Sequence, residues 1–275
     1  MCAREGDYPR DPGARVLRNY IHENRKHGGY GISAGNGAFI LAQGNVAFKN
    51  AHSITGDPWA LTGYLAYDNL LLAPSFDSPE SSNQDLDVHG AHDCGPDGGC
   101  EGGISGDSFD VGWNTFLQTR HFNLNQRGTP CRFTLFHDNV GAQPLLLNDE
   151  GLRTSTTGLI LFQAPPASGP GDRATYVWNN AFDQPSLMAD LGYADFDGDG
   201  LVDTFATTGV TWWFTSNRTG DWRLLNRMPE QRSALYLADI DGDGLSDVYT
   251  SRDGRVEVSW AGRSPWQTLP PAGRQ

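Results

Sequence analysis

Short stretches of alternating apolar and polar residues recur through roughly the first 140 residues, and five of them run into an asparagine. They are "RVLRN" ending at Asn19, "ILAQGN" at Asn45, "YLAYDN" at Asn69, "FDVGWN" at Asn114 and "FTLFHDN" at Asn139. Alternation at period two predicts half-buried β-strands. Successive asparagines lie 26, 24, 45 and 25 residues apart. The long interval contains the Gly/Asp-rich stretch "SPESSNQDLDVHGAHDCGPDGGCEGGISGD". Treating about 20 of its residues as an insertion restores the period.

Asparagine followed by apolar residues at each interval is the pattern that a parallel β-helix needs. Each coil turns a corner, and stacked amides hydrogen-bond up and down the column. A second strand per coil is marked by a central apolar residue: Ile32 in "GYGISAG", Ile54 in "AHSITGD", Val88 in "LDVHG" and Leu124 in "FNLNQRG". With these inward, alternation turns Ser53, Thr55, Asp57, Asp87, His89, Asn123, Asn125 and Arg127 outward. His52 shares the parity of Ile54 and aligns with Tyr30, Leu86 and Phe122, which makes it a core-facing histidine. Coils about 4.8 Å apart would gather Asp57, Asp87, His89 and Arg127 into one patch. A carboxylate, a base and an arginine suit proton abstraction beside a uronate, or glycoside hydrolysis by paired carboxylates. They suit equally the ordinary polar surface of a β-helix. Residues 14–165 resemble the PbH1 repeats of right-handed parallel β-helix proteins. That resemblance implies polysaccharide lyases, epimerases and phage tailspikes as relatives. Five or six coils are few for such a family, as in an N-terminally incomplete helix.

The last third changes rhythm. "ADFDGDGLVD" (194–203) returns as "ADIDGDGLSD" (238–247), and the match extends to Trp222 on Trp266 and Leu225 on Leu269. Between them "TWWFTS" falls on "RVEVSW", both strand-like. A period in the forties built of strands and turns predicts propeller-type blades. Asp195, Asp197, Asp199 and Asp203 repeat as Asp239, Asp241, Asp243 and Asp247. Glycines between them let the backbone wrap, so the carboxylates converge as hard oxygen ligands for Ca²⁺, joined by the carbonyls of Leu201 and Leu245. Two calcium sites follow. An EF-hand is disfavoured, because position 12 holds Ala206 and Thr250 and the flanks are β-rich. The loops resemble FG-GAP/VCBS repeats, which implies structural calcium in a module at 175–271 that supports adhesion or carbohydrate contact. Trp178 stands one period before Trp222, as a degenerate blade would.

Composition narrows the partners. A formal net charge of −13 opposes nucleic acid and anionic membranes. No apolar run is long enough to insert in a membrane. No signal peptide is visible at the N-terminus. Four cysteines (Cys2, Cys94, Cys100, Cys131) lean towards an oxidising compartment, with Cys94 and Cys100 spaced for a disulfide and no C-x₂-C pair for zinc. His92 and Asp93 sit beside Cys94 as weak metal candidates, while His22, His27, His121 and His137 show no partner spacing. The expected protein is all-β: a right-handed parallel β-helix followed by a small blade module. It is expected to be secreted or on the cell surface, to bind calcium and to engage polysaccharide or surface glycans. The alternative is a polysaccharide lyase or glycoside hydrolase using Asp57, Asp87, His89 and Arg127.

Overall fold

The structure, a computed structural model, describes residues 11–25, 29–59, 61–73, 84–90, 105–117, 122–127, 130–145, 147–149, 174–217 and 219–270. Cys2, Cys94, Cys100, His27, His92, Asp93 and His121 lie outside them. The chain divides into two units, Met1–Pro185 and Ser186–Gln275.

Three parallel sheets make the first unit, with strands numbered in chain order. One carries β1 (Ala14–Leu17), β4 (Phe39–Gln43), β7 (Gly63–Tyr67), β10 (Ser108–Gly112), β13 (Phe133–His137) and β16 (Ala174–Trp178). The next carries β2 (Tyr20–His22), β5 (Val46–Phe48), β8 (Leu70–Ala73), β11 (Thr115–Phe116) and β14 (Val140–Gly141). The third carries β3 (Tyr30–Ala34), β6 (His52–Gly56), β9 (Gln84–Val88), β12 (Phe122–Gln126) and β15 (Leu147–Asp149). Every third strand therefore pairs with its counterpart one coil away, which is a parallel β-helix.

The asparagine column forms as the spacing requires. Oδ1 of Asn45 accepts both the backbone and side-chain N–H of Asn19 at 3.0 and 3.1 Å. Asn69, Asn114 and Asn139 continue the pattern, and Asn180 extends it by a coil that the sequence reading did not count. The residue before each of them is left-handed: Arg18, Gly44, Asp68, Trp113, Asp138 and Asn179, with φ from 52° to 67°. That backbone turn carries the chain from the first sheet to the second. A shorter column, Asn24 over Asn50, marks the next corner of the first coils.

The core lies inside the coils. Ile40, Tyr64 and Phe109 stack in register, as do Ala42, Ala66, Val111, Phe136 and Val177. On the third sheet Ile32, Ile54, Leu86 and Leu124 align. The expected register is off by two: Val88 pairs with Gly56, and His52 aligns with Tyr30, Gln84 and Phe122 rather than with Leu86. A slip of two keeps every side chain on its own face, so the inside–outside pattern is unchanged. Asp85 on β9 is buried, and burial pushes its carboxyl up to about 8 against the lowering hydrogen bond with Asn123. Ala174–Trp178, expected in the second module, instead pairs along β13, so Trp178 closes a coil and marks no blade.

The second unit holds two antiparallel four-stranded sheets. They are β17 (Leu191–Ala194), β18 (Asp203–Thr207), β19 (Trp212–Thr215), β20 (Trp222–Asn226), then β21 (Tyr236–Ala238), β22 (Asp247–Arg252), β23 (Arg255–Ser259), β24 (Gln267–Thr268). Phe196, Phe205, Trp212, Phe214, Leu225, Leu235 and Val248 pack between them. Trp212 and Trp213 are fully buried, so the "TWWF" rings hold the blades together and are closed to sugars.

Two stability outcomes are expected. Asn114→Ala should cost at least ~2 kcal/mol in urea unfolding, because it strands buried partners on Asn69, Ala66 and Asn139. The same change at exposed Asn19 should cost much less. Asp85 binds a proton more tightly folded than unfolded, so its contribution is full below about pH 4 and is lost as pH rises towards 8. Asp85→Asn should flatten that slope, raising Tm at pH 8 and leaving it nearly unchanged at pH 4.

Candidate functional site

The aspartate loops join β17 to β18 and β21 to β22, inside antiparallel pairs. In each, the first aspartate organises the turn. Asp195 accepts the amides of Gly198 and Gly200 at 2.7 and 2.8 Å, and Asp239 those of Gly242 and Gly244 at 2.7 and 3.1 Å. All four glycines have φ between 75° and 89°, and only a residue without Cβ adopts that cheaply. The last aspartate opens the following strand. Asp203 accepts the Phe196 amide and Asp247 the Ile240 amide, each at 2.8 Å.

The result is convergence of charge. One oxygen from each of Asp195, Asp197 and Asp203 lies within 4.8 Å of the others, and the same holds for Asp239, Asp241 and Asp247. Burial, reinforced by the charges of Asp197 and Asp195, raises the Asp203 carboxyl above its ordinary pKa. Oδ1 of Asp197 is buried without a hydrogen-bond partner. The nearby cation, Arg223, approaches Asp197 Oδ2 only to 3.7 Å. A hard divalent cation fits such an all-oxygen set. Asp199 and Asp243 stand outside the two triads, and each accepts the amide of the following leucine, Leu201 or Leu245, at 2.8 Å.

On the third helix sheet, Asp87, His89 and Arg127 do meet. Arg127 grips Asp87 through Nε and Nη2 at 3.2 and 2.5 Å, and His89 Nε2 lies 2.8 Å from Asp87 Oδ2. Tyr30 Oη stands 3.4 Å from the same His89 nitrogen. His52, expected in the apolar core, is buried in this polar cluster instead. Its Nδ1 is 3.5 Å from Asp87, and burial lowers its pKa to about 4 despite that charge. Asp87 occupies an outward position by alternation yet is 0% exposed. Burial works to raise its carboxyl, but His89 and Arg127 outweigh it and hold the group below its ordinary range. Asp57 turns elsewhere: its oxygens accept the amides of Asn36 and Trp59 and the Thr62 hydroxyl at 2.7, 3.1 and 2.7 Å. It builds a corner between β6 and β7.

A third constellation escaped the sequence reading. On the first helix sheet Gln43, Tyr67, Gly112, His137 and Trp178 lie in register, each two residues before a column asparagine. His137 donates to Asp110 at 2.8 Å and to Asp138 at 2.7 Å. Burial opposes its charge, but the two carboxylates prevail and raise its pKa. Trp178 stacks on the imidazole at 4.5 Å and is itself 44% exposed, while Trp113 meets the ring edge-on at 4.8 Å. Tyr67 donates to Asp110 at 2.7 Å. Gly112 leaves the space, since a Cβ there would stand 2.6 Å from the imidazole. Aligning the coils on their asparagines would have put these residues in one row.

Cys131 is disulfide-bonded. No helix of the described residues is long and apolar enough to cross a membrane. Residues 195–250 match a family model described as FG-GAP-like repeat, which spans the first aspartate loop through β22. No curated protein and no solved structure matches the chain. The C-terminal unit is thus a β-repeat module of FG-GAP-like type, joined to a helix of parallel coils.

Proposed function

We propose that the protein is an extracellular, calcium-binding β-protein that engages polysaccharide or cell-surface glycans. The observation that carries the reading is the pair of carboxylate triads, matched in geometry across two repeats and left short of positive charge. Calcium bound there supplies the charge that Asp195, Asp197, Asp203 and their counterparts lack. It acts structurally, closing each loop against its blade. The disulfide at Cys131 agrees with an oxidising, extracellular setting.

The glycan half rests on the first helix sheet. Trp178 offers a flat ring face beside Asp138 and Asn179, which are already linked by a hydrogen bond. An aromatic face flanked by hydrogen-bonding groups suits a pyranose ring, whose C–H face stacks while its hydroxyls bond at the rim.

A second reading, polysaccharide lyase or glycoside hydrolase, is favoured by the meeting of Asp87, His89 and Arg127. Asp87 is clamped by an arginine, so its role there would be to orient His89, leaving the imidazole as the group that moves a proton.

Calcium should raise Tm, EGTA should reverse the rise, and calorimetric titration should find two sites. A hundredfold excess over Kd would add about 2.7 kcal/mol per site. Absence of both heat and Tm shift would overturn the calcium reading. A polysaccharide panel tests the rest. Trp178→Ala should weaken glycan binding about tenfold. New reducing or unsaturated ends that vanish in His89→Ala would instead establish the enzyme.

A further inference from the structure

The two aspartate loops touch one another. The Asp195 amide donates to Ser246 Oγ at 3.1 Å, and the Ser246 amide donates back to the Asp195 carbonyl at 2.6 Å. Asp195 is the first carboxylate of the first loop. Ser246 sits between Leu245 and Asp247, the seventh and ninth positions of the second. Arg263, which follows β23, reaches back to the Phe196 carbonyl at 2.8 Å. A Cβ on Gly198 would lie 3.1 Å from the Leu245 side chain, so the loops are also in steric contact.

Asp247 extends the connection. It accepts the Ala261 amide at 2.7 Å through one oxygen and the Ile240 amide through the other. Ala261 lies two residues before Arg263. A carboxylate of the second loop therefore also positions the segment that holds the backbone of the first. Phe196, between Asp195 and Asp197, is fully buried in the same core as Val248, which follows Asp247. Neither loop can change its backbone path without disturbing a ligand of its neighbour.

We infer that the two loops bind calcium with positive cooperativity, transmitted by the reciprocal Asp195–Ser246 hydrogen bonds and by Arg263. The inference rests on the calcium reading above and adds regulation to it. An empty loop holds several carboxylates in mutual repulsion, and relaxation of that repulsion moves the backbone. Filling the second loop fixes Ser246 and thereby the main chain of Asp195, so the first loop meets its ion with less ordering left to do. Coupling is reciprocal by linkage, so the first site must help the second by the same factor. The module then switches between calcium-free and doubly loaded forms over a narrow range of calcium concentration.

The experiment is calcium titration of the full chain, by calorimetry and by the amide NMR signals of Gly200 and Gly244, which report the loops separately. Both signals should move together in the wild type, with a Hill coefficient above one. Asp241→Ala, which disables the second loop, should weaken the first about fivefold or more, and Asp197→Ala should weaken the second by the same factor. Ser246→Ala with Arg263→Ala leaves all carboxylates in place, so both sites should still fill, now independently. Two independent sites in the wild type, with unchanged affinity at the first loop in Asp241→Ala, would overturn the coupling while the calcium reading stands. No binding heat in the wild type would remove both. Should Asp241→Ala fail to fold, the wild-type isotherm against that of the Ser246/Arg263 double variant decides the matter.

Discussion

A column of buried amides holds the first unit together. Each asparagine accepts two hydrogen bonds from the coil before it and donates to backbone carbonyls of its own corner, so the group is satisfied only when the coils are in register. Asn114 shows the full set: it accepts from Asn69 and donates to Ala66, Gly112 and Asn139. The turn that presents the amide demands a left-handed residue immediately before it. That requirement is met by residues as different as Gly44, Trp113 and Asp138, so backbone geometry and not side-chain identity is held constant. The rest of the coil is arranged around this column. Insertions at the other corners leave it unbroken, even where successive asparagines are 45 or 41 residues apart.

The second unit solves the opposite problem. Its polar groups are carboxylates, and hydrogen bonds alone cannot neutralise them. Glycine amides absorb part of the charge of Asp195 and Asp239, and strand-opening aspartates are tied to the amides of Phe196 and Ile240. What remains is three carboxylates per loop with one distant arginine, an arrangement that needs a cation to become favourable. The stacked amides make the coils self-sufficient, whereas the loops leave their stability open to calcium.

Burial separates the two polar clusters on the coils. Around Asp87 the charge is compensated internally by Arg127 and His89, and the carboxylate has no exposed surface. Around His137 the compensation is also internal, but the covering ring, Trp178, presents itself to solvent. The first is built to hold a group in place, and the second offers a surface as well.

Much of this was legible from the chain. The asparagine spacing, the alternation that places Ile32, Ile54 and Leu124 inside, and the twin aspartate loops are local signals, because strand parity and turn chemistry act over a few residues. The register of β9 was not legible, since a slip of two preserves every apolar face and only the neighbouring coils choose between the options. Nor was the fate of Asp57, whose oxygens are taken up by a corner formed with Asn36 from the coil before it. His52 was misplaced because parity says which face a ring starts from and not which charge it approaches. His137 was missed because its partners, Asp110 and Trp178, are 27 and 41 residues away in sequence and meet only when the coils stack. The sequence by itself determined the repeat and the chemistry of each turn. The tertiary structure decided which turns stand side by side, because that choice depends on long-range packing that no local pattern encodes.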